Sequence, residues 1–101
     1  MAKFSKEVAL KMLGDVPPEN NFWCIDGRVL KNLPETVAAL KEMTDETFRQ
    51  HVNEEKNDFA NWVRDVIGDE KLSLDLRQSK TRAEAARVIS NRIAWLKGRA
   101  K

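Results

Sequence analysis

Residues 51–72 read HVNEEKNDFANWVRDVIGDEKL and hold the chain's one histidine among a run of carboxylates. In a continuous helix, His51, Glu54 or Glu55, and Asp58 would share a face, because positions three, four and seven apart line up. An imidazole beside two carboxylates could hold a divalent cation or move a proton. Asp65 belongs to the same candidate polar site. Against that chemistry, a single histidine supplies only one imidazole, and neither H-E-x-x-H nor an EF-hand loop is present. A solvated acidic helix face also accounts for the run. No catalytic residue, metal ligand or cofactor is therefore assigned.

Cys24 is the only cysteine. A nucleophilic thiol needs a base and an electropositive, accessible setting. His51 could be that base only if the two segments pack together; a buried structural thiol is the expected role. The glycines in DGRVLKN and IGDEKL match no phosphate-cradling fingerprint and read as a turn and a helix stop.

Charge is divided unevenly along the chain. Residues 1–76 carry ten Lys/Arg against fifteen Asp/Glu, whereas residues 77–101 carry eight Lys/Arg and one acid, Glu84. Arg92, Trp95 and Arg99 fall close together by helical angle, with Lys97 and Lys101 nearby. Arginine neutralises phosphate and tryptophan stacks on bases, so residues 77–101 are a candidate nucleic-acid surface. The same residue types also dominate protein interfaces. In the alternative, Trp95 closes the core edge and the arginines complement the helix C-terminal dipole. Trp62 flanks an apolar stripe and joins Arg92, Trp95 and Arg99 as a candidate interaction surface.

The elements that would position these residues are mostly helical. FSKEVALKML has apolar residues near helical spacing, and Gly14 with Pro17-Pro18 stops it. NFWCIDGRVLKN reads as a hairpin near residues 22–31, with Asp26-Gly27 suited to a type I′ turn. Asn32 and Glu35 open the next helix, and Thr44 or Asp45 the one after. Phe48, Val52, Phe59, Val63 and Val66 would share one helical face, but so would Glu55 and Lys56. That conflict predicts a break or kink near Asn57-Asp58. Gly68 ends this segment and Asp69 caps EKLSLDLRQ. TRAE at 81–84 is a capping box before a helix whose core face is Ala85, Ala86, Ile89, Ile93 and Leu96.

The expected fold is therefore a mainly α single domain spanning 1–101, with about five helices and one small hairpin. At 101 residues with 42% apolar and 34% charged residues, it has enough apolar mass for one core. Folding at this size buries about 65% of the extended surface, which leaves no room for a large enclosed cavity as well. A lone cysteine suits a reducing, cytoplasmic compartment. No signal-peptide core and no apolar run long enough to span a bilayer is present, so no membrane association is expected.

From FWCIDGRVLKNLPETVAALKEM through TFRQHVNEEKNDFANWVRDVIGDEKL to TRAEAARVISNRI, the sequence resembles a family of small uncharacterised domains found chiefly in archaea. The resemblance covers most of the chain and implies an autonomous cytoplasmic domain of archaeal origin. It brings no defined catalytic residues. Three functional readings follow. The leading one is a non-enzymatic protein-interaction module using exposed residues around Trp62 or Trp95. The alternatives are nucleic-acid binding through 77–101 and a metal-dependent enzyme centred on His51. The protein partner and the oligomeric state are left open.

Overall fold

A computed structural model describes residues 4–101; the first three residues of the expected domain lie outside the described residues. Among the described residues the chain is mainly helical, with six α-helices and one two-stranded antiparallel hairpin. Its radius of gyration is 13.0 Å, as expected of a folded domain of this length at about 13 Å.

Helix α1 (Lys6–Leu13) starts at Ser5, whose hydroxyl accepts the Val8 N–H at 3.1 Å. A 3-10 turn at Pro18–Asn20 leads to strand β1 (Phe22–Trp23), which pairs with β2 (Val29–Leu30) in the register Phe22↔Leu30 and Trp23↔Val29. The connection differs from a two-residue type I′ turn. Among the described residues no non-glycine residue has positive φ, whereas Gly27 sits at φ 99°. The Gly27 N–H donates to the Cys24 carbonyl at 2.9 Å and the Cys24 N–H to the Arg28 carbonyl at 2.8 Å. This is a three-residue loop closed by a left-handed glycine, which keeps Asp26 out of the costly region.

Helices α2 (Leu33–Glu42) and α3 (Asp45–His51) are capped by the side chains of Asn32 and Thr44. The expected break is real. Val52 bridges to Asn57, and Asn57 then caps α4 (Asp58–Trp62) by accepting the Ala60 N–H at 2.9 Å. Glu54, Glu55 and Lys56 are thereby carried on an exposed loop instead of a core-facing helical stripe. α4 runs on into a π-helical turn, Val63–Ile67, which Gly68 ends at φ 85°. Asp69 caps α5 (Glu70–Arg77), and Thr81 with Glu84 caps α6 (Arg82–Arg99).

α6 lies along α2 and α1 and touches α5. Its Ala85, Ala86, Ile89 and Leu96 are buried, while Ile93 is only half-buried. Small residues near its start allow close approach; Ile89 and Leu96 fill the space further along. A second centre is aromatic. Phe22 stacks on Phe59 with ring centroids 4.6 Å apart, meets Trp62 edge-on at 5.9 Å, and lies 5.2 Å from the His51 ring. Such pairs add about 0.5–1.5 kcal/mol each beyond area burial. They seat the short hairpin, which would be marginal alone.

Candidate functional site

His51 ends α3 and is 7% exposed. Its Nε2 lies 3.0 Å from the Ile25 amide nitrogen, and its Nδ1 lies 3.0 Å from Asp58 Oδ2. An amide can only donate, so Nε2 is an acceptor and the ring proton sits on Nδ1, where it donates to Asp58. Lys56 Nζ reaches the same carboxylate oxygen at 3.0 Å. Phe22 and Phe59 pack against the ring. Both nitrogens are thus engaged in tying the hairpin to the α3–α4 junction.

The rest of the candidate polar site does not gather around this ring. Glu54 and Glu55 line an open groove of about 430 Å³ with Lys56, Asn57, Arg77 and Lys80, where charges of both signs alternate. Asp65 lies in the π-helical turn and accepts from Arg64 Nε at 2.8 Å. That bond, from a solvent-facing arginine, holds the Asp65 carboxyl below its ordinary value of 3.8. No group of three His, Cys, Asp or Glu side chains suited to a metal ion occurs among the described residues. The seven-residue spacing of His51 and Asp58 does produce a contact, but through the folded 52–57 loop and not along one helix.

Cys24 is 6% exposed. Burial pushes its thiol above the ordinary 9.0, partly offset by the Asp26 backbone N–H, so it stays protonated and inert.

The candidate interaction residues divide sharply. Trp62, expected on the surface, is 7% exposed and donates its Nε1–H to the Asn20 carbonyl at 2.8 Å. It is a core residue holding the 3-10 turn. Arg92 is also not a surface cation. Its Nε and Nη2 donate to the two oxygens of Asp69 at 2.7 and 2.9 Å, and Asp69 is 1% exposed. The guanidinium then covers the Trp95 ring at 4.3 Å. Arg99 approaches the same ring at 4.5 Å and Phe4 packs edge-on to it at 5.0 Å. Trp95 is 37% exposed, with two cations against its ring. Arg82, another cation of the basic segment, is spent on Asp45 and on the Leu40 carbonyl at the end of α2.

The residue that does stand out was not singled out from sequence. Trp23 is 71% exposed, Ile25 63% and Val29 40%. Trp23 and Val29 are directly paired across the hairpin, so they share a face; Ile25 is exposed in the turn between the strands. Phe22 and Leu30, the alternating partners, point inward and are buried. The available signal was the alternation Phe22-in, Trp23-out, but two consecutive aromatic residues do not say which is inside.

Set against known proteins, the chain matches no protein-family model, no curated protein and no solved structure. Geometry alone therefore carries the functional reading.

Proposed function

We propose that this chain is a non-enzymatic protein-interaction module whose binding face is the outer side of the hairpin, Trp23 with Ile25 and Val29. The observation that carries the reading is the 71% exposure of Trp23 on an element whose opposite side is packed into the aromatic core. A large aromatic side chain left in water contributes little to the fold, and an exposed tryptophan paired with an exposed valine is the kind of apolar surface that marks a contact site. Tryptophan is also the residue type most enriched among those that dominate interfaces. The buried thiol, the fully bonded His51 and the scattered carboxylates supply no competing constellation.

The test places a photo-crosslinking residue at Ile25 in the chain expressed in cells, with an equivalent residue at Lys97 as control. The expected result is a discrete protein adduct formed from position 25 and not from 97, lost when Trp23→Ala is added. Equal adducts at both positions, or an adduct indifferent to Trp23→Ala, would remove the hairpin face as the binding surface.

A further inference from the structure

We propose that His51 is an acid-sensitive latch on the Trp23 hairpin, releasing the turn that carries Ile25 when its ring gains a second proton. The inference rests on the reading of the hairpin as the binding face and names a way that face is regulated. Its basis is the pair of bonds to one buried ring. Nε2 accepts the Ile25 N–H from the hairpin, and Nδ1–H donates to Asp58 on α4. The two bonds respond oppositely to a proton. Protonation at Nε2 turns the acceptor into a donor facing another donor, so the Ile25 bond is lost. The Asp58 bond, already made to a carboxylate, becomes stronger with both partners charged. Acid therefore tightens α3 to α4 while it unfastens the Ile25 turn from α3.

The groups around the ring support a local response. On the α4 side Asp58 faces Nδ1, and Lys56 Nζ shares its Oδ2 and offsets part of its charge. Phe22 and Phe59 lie against the ring and carry no charge. On the hairpin side the ring meets a neutral amide, with the protonated Cys24 next in sequence. Asp26 and Arg28 are paired with each other across the turn. Phe22 stays stacked on Phe59 and the strands stay paired, so the release is confined to the turn that carries Ile25. The link is present while the ring is neutral and is lost when Nε2 takes up a proton.

The experiment follows hydrogen-exchange protection of the Ile25 amide and the His51 ring resonances by NMR on the 101-residue chain. The span is about pH 8 to about pH 5, across which an imidazole titrates. Protection at Ile25 is expected to fall about tenfold, the equivalent of one net hydrogen bond, in step with the ring, while amides of Leu72 and Ile89 stay protected. In His51→Gln, whose side chain does not titrate, the pH dependence at Ile25 is expected to vanish. In Asp58→Asn, which removes the charge favouring the imidazolium, the transition is expected to move to lower pH. A ring that never protonates in this range, unchanged Ile25 protection while it does, or the same loss in His51→Gln would each overturn the latch. These readouts belong to the hairpin itself. The proposed binding face fails separately, if Trp23→Ala leaves the crosslinked adduct intact.

Discussion

Arg92 and Asp69, 23 residues apart, form a two-pronged ion pair that is almost wholly withdrawn from water. Asp69 also caps α5 through the Leu72 N–H at 3.1 Å. One carboxylate thus fixes the start of α5 and the position of α6. Removing either partner strands a buried charge, so Asp69→Ala or Arg92→Ala is expected to cost about 3–5 kcal/mol in urea unfolding. Asp69→Ser with Arg92→Met keeps a capping oxygen and removes both charges. The double variant should recover a large part of that loss, because the two sites are coupled. Were Arg92 a surface cation, its alanine variant would change stability by no more than about 0.5 kcal/mol.

The three tryptophans should separate cleanly by thermal unfolding. Trp23→Ala is expected to leave stability within about 0.5 kcal/mol of the parent, since the side chain is largely in water. Trp62→Ala should cost about 3–5 kcal/mol through the cavity it opens. Trp62→Phe should lose about 1–2 kcal/mol, as the Asn20 carbonyl loses its donor. A destabilised Trp23→Ala would mean that the hairpin face is held by the fold.

Asp45 and Arg82 make stability depend on pH. The hydrogen bond from Arg82, then its charge, holds the Asp45 carboxyl below its ordinary 3.8. A group depressed in the folded state contributes stability above its unfolded value and loses it as pH falls through the folded one. Asp45→Asn should therefore lower stability slightly at neutral pH. The difference from the parent should begin to narrow near about pH 4, where the unfolded-state carboxylate takes up its proton, and close only below the lower folded-state value. A difference that persists in strong acid would assign the effect to the Arg82 bonds with the Leu40 and Lys41 carbonyls.

Two glycines should respond to alanine with opposite sign. Gly68 sits at φ 85° with open space where a Cβ would stand, so only backbone strain opposes substitution. Gly68→Ala is expected to cost about 1–2 kcal/mol. Gly98 lies inside α6 with nothing near its Cβ position. Gly98→Ala should stabilise by about 0.4–1 kcal/mol by restricting the unfolded chain. Melting curves of the two variants check both signs.

The helix ends were the most legible part of this fold. Asn32, Asn57, Asp69 and Thr81 all cap where local pattern placed them, because capping is settled within four residues. The break before Asn57 was legible for the same reason: Glu55 and Lys56 could not share a buried stripe with Phe59. Relations over longer range were hidden. Nothing local announces that Trp62 will meet a carbonyl 42 residues earlier, or that Arg92 will be consumed by Asp69. Both residues therefore read as surface. The turn was misjudged by one residue, since Asp-Gly suits both a two-residue loop and the three-residue loop found here. The polar site's spacing held only for a continuous helix; with the 52–57 loop in place His51 still meets Asp58, while Glu54 and Glu55 ride on the loop. The exposed Trp23 was missed because a strand's period of two leaves inward and outward faces interchangeable when both neighbours are aromatic.

β1 is gripped on both sides by one helical unit. Trp62 holds the Asn20 carbonyl just before the strand, and His51 holds the Ile25 amide just after it. Trp23 lies between these fixed points. A loop bearing an exposed tryptophan would surrender backbone freedom each time it met a partner. Here that freedom has already been given up in folding, so association costs chiefly the tryptophan's own rotamers. The hairpin is thus preorganised: on the proposed reading, a mobile segment of the same sequence would bind a partner more weakly.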